Sequence, residues 1–342
     1  MKFGIHLDLS VPQPSDAESE RRVFDHALEQ AIEAERQGFD SCWASERHLR
    51  EGHACAAAPE VLLSAISART SRMRLGTSAL AHQVNHPAMI AARAASLDIV
   101  SRGRLDLAIA RPITWTELSS FGGNPDIDLW DETVRALAQV WTKEPASFHG
   151  AHFKIHEDSP VPRPYQTPHP PLWADACDAQ AEHEAAVLGV GLIARALPDC
   201  QEQAQRIAAY KNLAATSEAV GGFVNDQVAI IDLLYCHDGD AKSIETGTVL
   251  LRSARDLAAE PVSAHEAGLR GAPAQPSGLA VGDPRTIIET LRKWESMGVD
   301  QAIFTLNAGN AISQAEALSS LRLFASEVMP AFERQRTRAA AE

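Results

Sequence analysis

The sequence predicts a (β/α)8 barrel. Three observations carry that prediction: a strand-helix-strand unit between Met73 and Arg111, the same alternation on both sides of it, and a total of eight strand-like runs separated by helical ones. In the central unit, Met73–Leu80 is a run of small and apolar residues of strand length. Ile90, Ala94, Leu97 and Val100 then recur at helical spacing behind Pro87, and Gly103 stands just past the end. Leu105, Leu107 and Ile109 follow as a second strand, leading into Arg111. Parallel strands joined through a helix gather their chemistry where the strands end, here around Ser78–His82 and at Arg111.

Before that unit, 2–7 reads as a strand and Ser19–Gln37 as a helix, with Val23, Ala27, Leu28 and Ala31 on one face and Gly38 at a cap that favours positive φ. A short strand at 41–44 ends in the polar run Ser45–His53, and Pro59–Arg69 is the next helix. After the unit, Pro112–Asp128 is a Gly-, Pro- and Thr-rich excursion, Trp130–Trp141 is helical, and His149-Gly150 marks a hairpin-like segment. Six prolines between Pro160 and Pro171 then exclude helix and central strand, so 112–171 is an insertion after the fourth strand.

Strands follow at 172–176, 191–196 and 227–235, each with its helix. The Gly- and Pro-rich stretch 260–280 is a second insertion, after the seventh strand, with the composition of a mobile lid. Asp283-Pro284 opens a helix that Gly298 closes, 301–306 is the eighth strand, and Ser313-x-x-Glu316 is a capping box for the last helix. A length of 342 residues suits one large barrel or two smaller domains, and eight strands select a single domain over 1–342.

Composition excludes several classes. A net charge of −14 without clustered Lys and Arg argues against nucleic acid. No apolar run approaches the roughly 18 residues of a membrane helix, and the N-terminus reads as a strand rather than a signal peptide. Five scattered cysteines without a CxxC pair point to reduced thiols in a cytoplasmic protein. No GxSxG, Walker or GxGxxG pattern occurs.

The strand ends present His6 and Asp8, Glu46–His48, Ser78–His82, Arg111, Ala176–Ala179, Arg195, His237 and Asn307. A guanidinium in a water-poor barrel mouth needs an anion, so Arg111 faces either a phosphate or carboxylate ligand or an internal carboxylate such as Asp106 or Asp175. A helix beginning at Cys177-Asp178-Ala179 aims free amides at the mouth, which an anion or the Asp178 side chain itself can fill. His82-x3-His86 and His48-x4-His53 lack a third ligand at metal-site spacing.

An ordered set of short motifs resembles the bacterial luciferase-like monooxygenases. It comprises Met1-Lys-Phe-Gly4, Gln37-Gly-Phe-Asp40 with Trp43, Glu46 with His48, Leu75-Gly-Thr77, His86-Pro87, Ser101-x-Gly-Arg-Leu105, Phe121-Gly122, Gly282-x-Pro284, Gly298-Val-Asp300 and Leu321-x-Leu-Phe-Ala-x-x-Val-Met-Pro330. The resemblance implies a (β/α)8 barrel that binds reduced FMN supplied by a separate flavin reductase, or the deazaflavin F420 in a sister branch. By the same resemblance Ser78-Ala79 is a non-proline cis peptide behind the flavin ring, Arg111 binds the phosphate, and Cys177, Asp178 and Ala179 belong to a second phosphate-binding segment. His48 and Arg47 stand at the catalytic position, and the lid closes over them.

Four positions depart from the family pattern. Arg47 replaces the first of two adjacent histidines, Ala110 a reactive cysteine, Pro112 a glycine, and Asp178 a small hydroxyl residue. The expectation is therefore a monooxygenase using reduced FMN and O2 on a small organic substrate. F420-dependent hydride transfer and a non-catalytic subunit with weakened flavin binding are the alternatives. A homodimer or heterodimer is implied, with Val61, Leu62, Leu63 and Ile66 serving either its interface or the core.

Overall fold

Eight parallel strands close into a barrel in chain order. The computed structural model describes residues 1–11, 14–48, 57–110, 120–122, 128–156, 162–176, 178–197, 199–258 and 280–332. The strands are β1 (Lys2–Leu7), β2 (Ser41–Ala44), β3 (Arg74–Leu80), β4 (Leu105–Ala110), an antiparallel hairpin of β5 (Phe148–His149) and β6 (Lys154–Ile155), then β7 (Leu172–Asp175), β8 (Gly191–Arg195), β9 (Val228–Cys236), β10 (Ala280–Gly282) and β11 (Gln301–Thr305). The barrel runs β1-β2-β3-β4-β7-β8-β9-β11, and β11 pairs back to β1. The eight expected strands are all present, their ends within a residue or so of the sequence reading.

Two features were not foreseen. Three-residue β10 extends the end of β9, pairing Ala280 with Leu234 and Gly282 with Cys236; so short a run next to a Gly-rich stretch carries no periodicity. The helix of the central unit turns left-handed at Arg102 (φ 60) and then at Gly103 (φ 79), one residue before the expected glycine. Of the lid expected over 260–280, residues 260–279 lie outside the described residues and Ala280 begins β10.

Local chemistry sets the helix ends. Asp16 and Ser19 form a capping box for α1 (Ala17–Arg36), which stops before Gly38 at φ 91. Pro59 and Pro87 open α2 (Pro59–Ser67) and α3 (Pro87–Ser101), where a missing N–H costs nothing. Helices α4 (Trp130–Thr142), α5 (Ala179–Leu188), α6 (Cys200–Ala214) and α7 (Ala241–Ala258) follow, then α8 (Pro284–Ser296) capped by Asp283 and α9 (Gln314–Glu327) capped by Ser313. Among the described residues no helix is long and apolar enough to cross a membrane.

Strand alternation divides the side chains between two cores. Phe3, Ile5 and Leu7 face the helices, where Phe3 meets Phe304, Phe324 and Phe332. Trp43, Ala108, Trp173, Ile193, Ala229 and Ile303 fill the barrel centre, with Trp43 edge-on to Trp173 at 5.5 Å. A Cβ on Gly76 would lie 2.1 Å from the Trp43 ring, so this strand position admits only glycine.

Two arginine and histidine contacts hold the frame. Arg104 donates to the carbonyls of Ser67, Thr70, Met73 and Ser101 and to the Thr70 hydroxyl, gathering the exit of α2, the entry of β3 and the end of α3 onto one guanidinium. At the other end of the barrel His6 on β1 shares hydrogen bonds with Thr305 of β11 through Nδ1 (2.9 Å) and with Ser45 beyond β2 through Nε2 (2.8 Å). Burial lowers the His6 pKa to about 4, so the ring is neutral at pH 7.

Arg104→Lys keeps the charge but not the fork of donors, and is expected to cost about 2 kcal/mol in urea unfolding. An unchanged midpoint would contradict the role given to Arg104. For His6, the unfolded chain takes up a proton below its ordinary pKa of 6.5 that the folded chain refuses until about 4. Stability present above that window is therefore lost as pH falls through it, by up to about 3 kcal/mol. In His6→Gln that loss disappears, so the stability gap between wild type and variant should narrow from about pH 7 to about pH 4.5; a gap independent of pH argues against it.

Candidate functional site

The inner residues at the C-terminal strand ends form a polar floor above the Trp43 and Trp173 layer. His6 lies in it with Thr305 and Ser45, and Arg195 of β8 contacts Asp175 of β7 at 2.6 Å. The charges of Asp8, Arg47, Asp175 and Arg195 all bear on the His6 ring, which places these groups around one centre. Their signs balance within each pair. Ser78, following Arg74 and Gly76 on the inner face of β3, is 7% exposed. The β3–β4 register shifts between Thr77 and Leu80 at that point, where the Thr77 hydroxyl donates to Ala108 O and accepts from Ala108 N.

The segment after β2 is fixed residue by residue. Ser45 bonds to His6, and Arg47, 41% exposed, reaches Asp8 at 3.4 Å. Glu46 accepts from the Ala81 amide at the end of β3 (2.7 Å) and meets His48 Nε2 at 2.8 Å. Phe121, from the described part of the expected binding loop, stands edge-on to His48 at 5.4 Å. A strand end with no regular structure of its own is thus held to β1 and to β3 and presents an imidazole and a guanidinium at the mouth.

Of the sequence-predicted residues, the structure brings Arg47, His48 and Ser78 to this mouth, and Ala79 stands beside Ser78 at the end of β3. Asp178 is the N-cap of α5, accepting from Ala181 N at 2.8 Å, and exposed Ala179 begins the helix. Arg111 and Cys177 lie outside the described residues, as do Pro112 and His53. Both carboxylates weighed as internal partners for Arg111 are engaged elsewhere: Arg74 holds Asp106 at 2.5 Å, and Arg195 holds Asp175. Ser45 and Thr305 were not singled out as site residues, and Arg195 was a strand-end candidate whose pairing with Asp175 the sequence did not show. Alternation along the strands holds the signal for the first two, because an inward His6 implies inward-facing polar neighbours on the adjoining strands.

The floor suits a planar ring with polar edges. It offers the hydroxyl of Ser78, a neutral imidazole and, in the barrel centre beneath them, small Ala108. No group of three His, Cys, Asp or Glu with metal-binding geometry occurs among the described residues. A cavity of about 510 Å³ opens at the opposite, N-terminal end of the barrel, lined by Lys2, Arg72, Arg74, Asp106, Trp173 and Gln301. Its polar groups bond one another, Arg74 to Asp106 and Ser41 to Gln301, and it lies away from the strand ends.

Comparison with known proteins agrees with this architecture. The chain is 24% identical over 361 residues to the oxygenase component of flavin-dependent trigonelline monooxygenase from Acinetobacter baylyi, covering 97% of this chain and 96% of that protein. A shorter match, 34% identical over 146 residues, covers 40% of this chain and 42% of an F420-dependent glucose-6-phosphate dehydrogenase from Kineococcus radiotolerans. Among solved structures, monooxygenase RslO1 from Streptomyces bottropensis superposes with a TM-score of 0.83 at 24% identity, covering 97% of this chain and all (100%) of that one. The oxygenating constituent of 3,6-diketocamphane monooxygenase from Pseudomonas putida, solved with FMN, gives a TM-score of 0.75 at 19% identity, covering 96% and 98%. The family model for luciferase-like monooxygenases matches residues 1–301, and the chain belongs to that family.

Proposed function

We propose that this chain is the oxygenase component of a two-component system, taking reduced FMN from a separate flavin reductase and using O2 to oxidise a small organic substrate. The observation that carries this reading is Ser78, 7% exposed at the register break of β3, on the same floor as neutral His6. The trigonelline relative is itself an oxygenase component, and the camphane relative was solved with FMN. Reduced flavin, when bound, supplies the electrons that activate oxygen. The chain supplies the rest. Ser78 and Ala79 would back the ring, Arg111 would hold the phosphate, and Arg47 or His48 would hydrogen-bond the oxygen being transferred or a substrate carbonyl. Phe121 covers His48 and limits water there.

The F420 relative motivates a second reading, hydride transfer without oxygen. Turnover under anaerobic conditions separates the two. Asp178 bears on a third reading, of weak flavin binding: its carboxylate already accepts the Ala181 amide at the start of α5, where a phosphate dianion would meet a like charge. We assign the phosphate to Arg111 for this reason, with Cys177 to Ala179 as a flanking segment. Val61 (70% exposed), Met89 (57%) and Val100 (59%) on α2 and α3 fit a dimer face, whereas Leu62, Leu63 and Ile66 belong to the core. We place the protein in the cytoplasm beside its reductase.

Fluorescence titration with reduced FMN is expected to show binding that weakens about tenfold or more in Arg111→Ala, and equal affinity in the two proteins would reject the assignment. Asp178→Ser should tighten binding by about fivefold through lost repulsion; looser binding would show that the carboxylate turns away from the phosphate. In the Arg47→Ala, His48→Ala double variant, substrate oxidation should fall relative to hydrogen peroxide release. Unchanged coupling removes both residues from the chemistry.

A further inference from the structure

The cavity of about 510 Å³ at the N-terminal end of the barrel is better supplied with hydrogen-bond donors than with acceptors. Its inner wall lies one layer below the Trp43, Ala108 and Ile303 core, since Ser41, Asp106 and Gln301 each precede one of these by two positions and share its face. The acceptors of that wall are taken. Asp106, 4% exposed, accepts from Arg74 through both oxygens and from Trp173 Nε1 at 3.3 Å. Gln301, equally buried, accepts from the Ser41 hydroxyl and from Trp43 Nε1 at 3.3 Å. An indole N–H only donates, so the Gln301 atom that meets it is the carbonyl oxygen. What Gln301 keeps for the cavity it lines is the amide NH2. At the rim stand exposed Lys2 and Arg72. Of the acids beside them, Asp40 accepts the Phe3 amide at 2.8 Å, and Glu35 accepts the amides of Ser71, Arg72 and Met73.

We propose that this cavity is a binding site for a small oxyanion, a phosphate or a carboxylate. Lys2 and Arg72 supply two cations at the rim, and the Gln301 amide donates to an anionic oxygen at the wall, beside an Arg74 guanidinium that Asp106 holds in place. These donors come from β1, from the turn before β3 and from β11, so one bound anion bridges the starts of three strands. The site takes a small anion rather than a flavin ring. Its aromatic residues, Phe39 and Trp173, are 4% and 2% exposed and offer no open flat face. It lies at the opposite end of the barrel from the flavin reading above and does not rest on it.

The experiment is calorimetric titration of the full chain with inorganic phosphate and, separately, with acetate, in Arg111→Ala so that the arginine assigned to the flavin phosphate does not contribute. Saturable binding of at least one probe is expected, and the tighter of the two names the oxyanion the site prefers. Lys2→Ala combined with Arg72→Ala, both at exposed positions, should weaken it about tenfold or more. Gln301→Glu keeps an oxygen for Ser41 and Trp43 but sets a carboxylate against the ligand, and should remove binding. Equal affinity with and without the Lys2 and Arg72 side chains overturns the proposal, and so does the absence of saturable binding for both probes. These two results decide alone if Gln301→Glu does not fold. Reduced FMN should bind the Lys2→Ala, Arg72→Ala variant as it binds the wild type; a parallel loss would merge the two sites and overturn the proposal as well.

Discussion

The mouth of this barrel depends on one buried imidazole. His6 cannot be solvated where it lies, so it takes its two hydrogen bonds from the strands on either side, Thr305 from β11 and Ser45 from beyond β2. Because those strands flank β1 in the barrel, a single ring fixes three strand ends relative to one another. The segment 45–48 then follows from its first residue: Ser45 is pinned by His6, Glu46 by Ala81, Arg47 by Asp8, and His48 by Glu46. Catalytic geometry on a loop needs such a scaffold, since small displacements of reacting groups cost large factors in rate.

Charge is arranged with the same economy. The chain carries −14 overall, a field that repels an anionic cofactor at distance. Among the described residues at the strand ends, Asp8 is paired with Arg47 and Asp175 with Arg195, while Glu46 is held by the Ala81 amide and meets His48. Asp106 and Asp175 are engaged by Arg74 and Arg195.

Most of the barrel could be read from the sequence, because apolar period, proline position and capping residues report the backbone directly. Asp283-Pro284 and Ser313-x-x-Glu316 cap their helices as expected. Short β10 carries too few residues for a period, and the left-handed turn at Arg102 runs against the preference for glycine there. The site was legible in part. Arg47, His48 and Ser78 stand at strand ends that local pattern identifies, and the family motifs drew attention to them. The pairing of His6 with Thr305 joins residues 299 apart in the chain, and that of Glu46 with Ala81 joins residues 35 apart. Only the closed barrel brings such partners together. Asp178 was ambiguous in the sequence between ligand-binding neighbour and cap, and in the fold its side chain serves as the cap.

Hydrogen–deuterium exchange on the intact protein, with and without reduced FMN under anaerobic conditions, asks most directly whether the C-terminal strand ends are the cofactor site. Protection is expected in peptides covering 45–48, 78–81 and 305–307, with none around Lys2, Arg72 and Arg74 at the opposite end. Protection confined to that N-terminal cavity, or no protection at saturating flavin, would contradict the assignment.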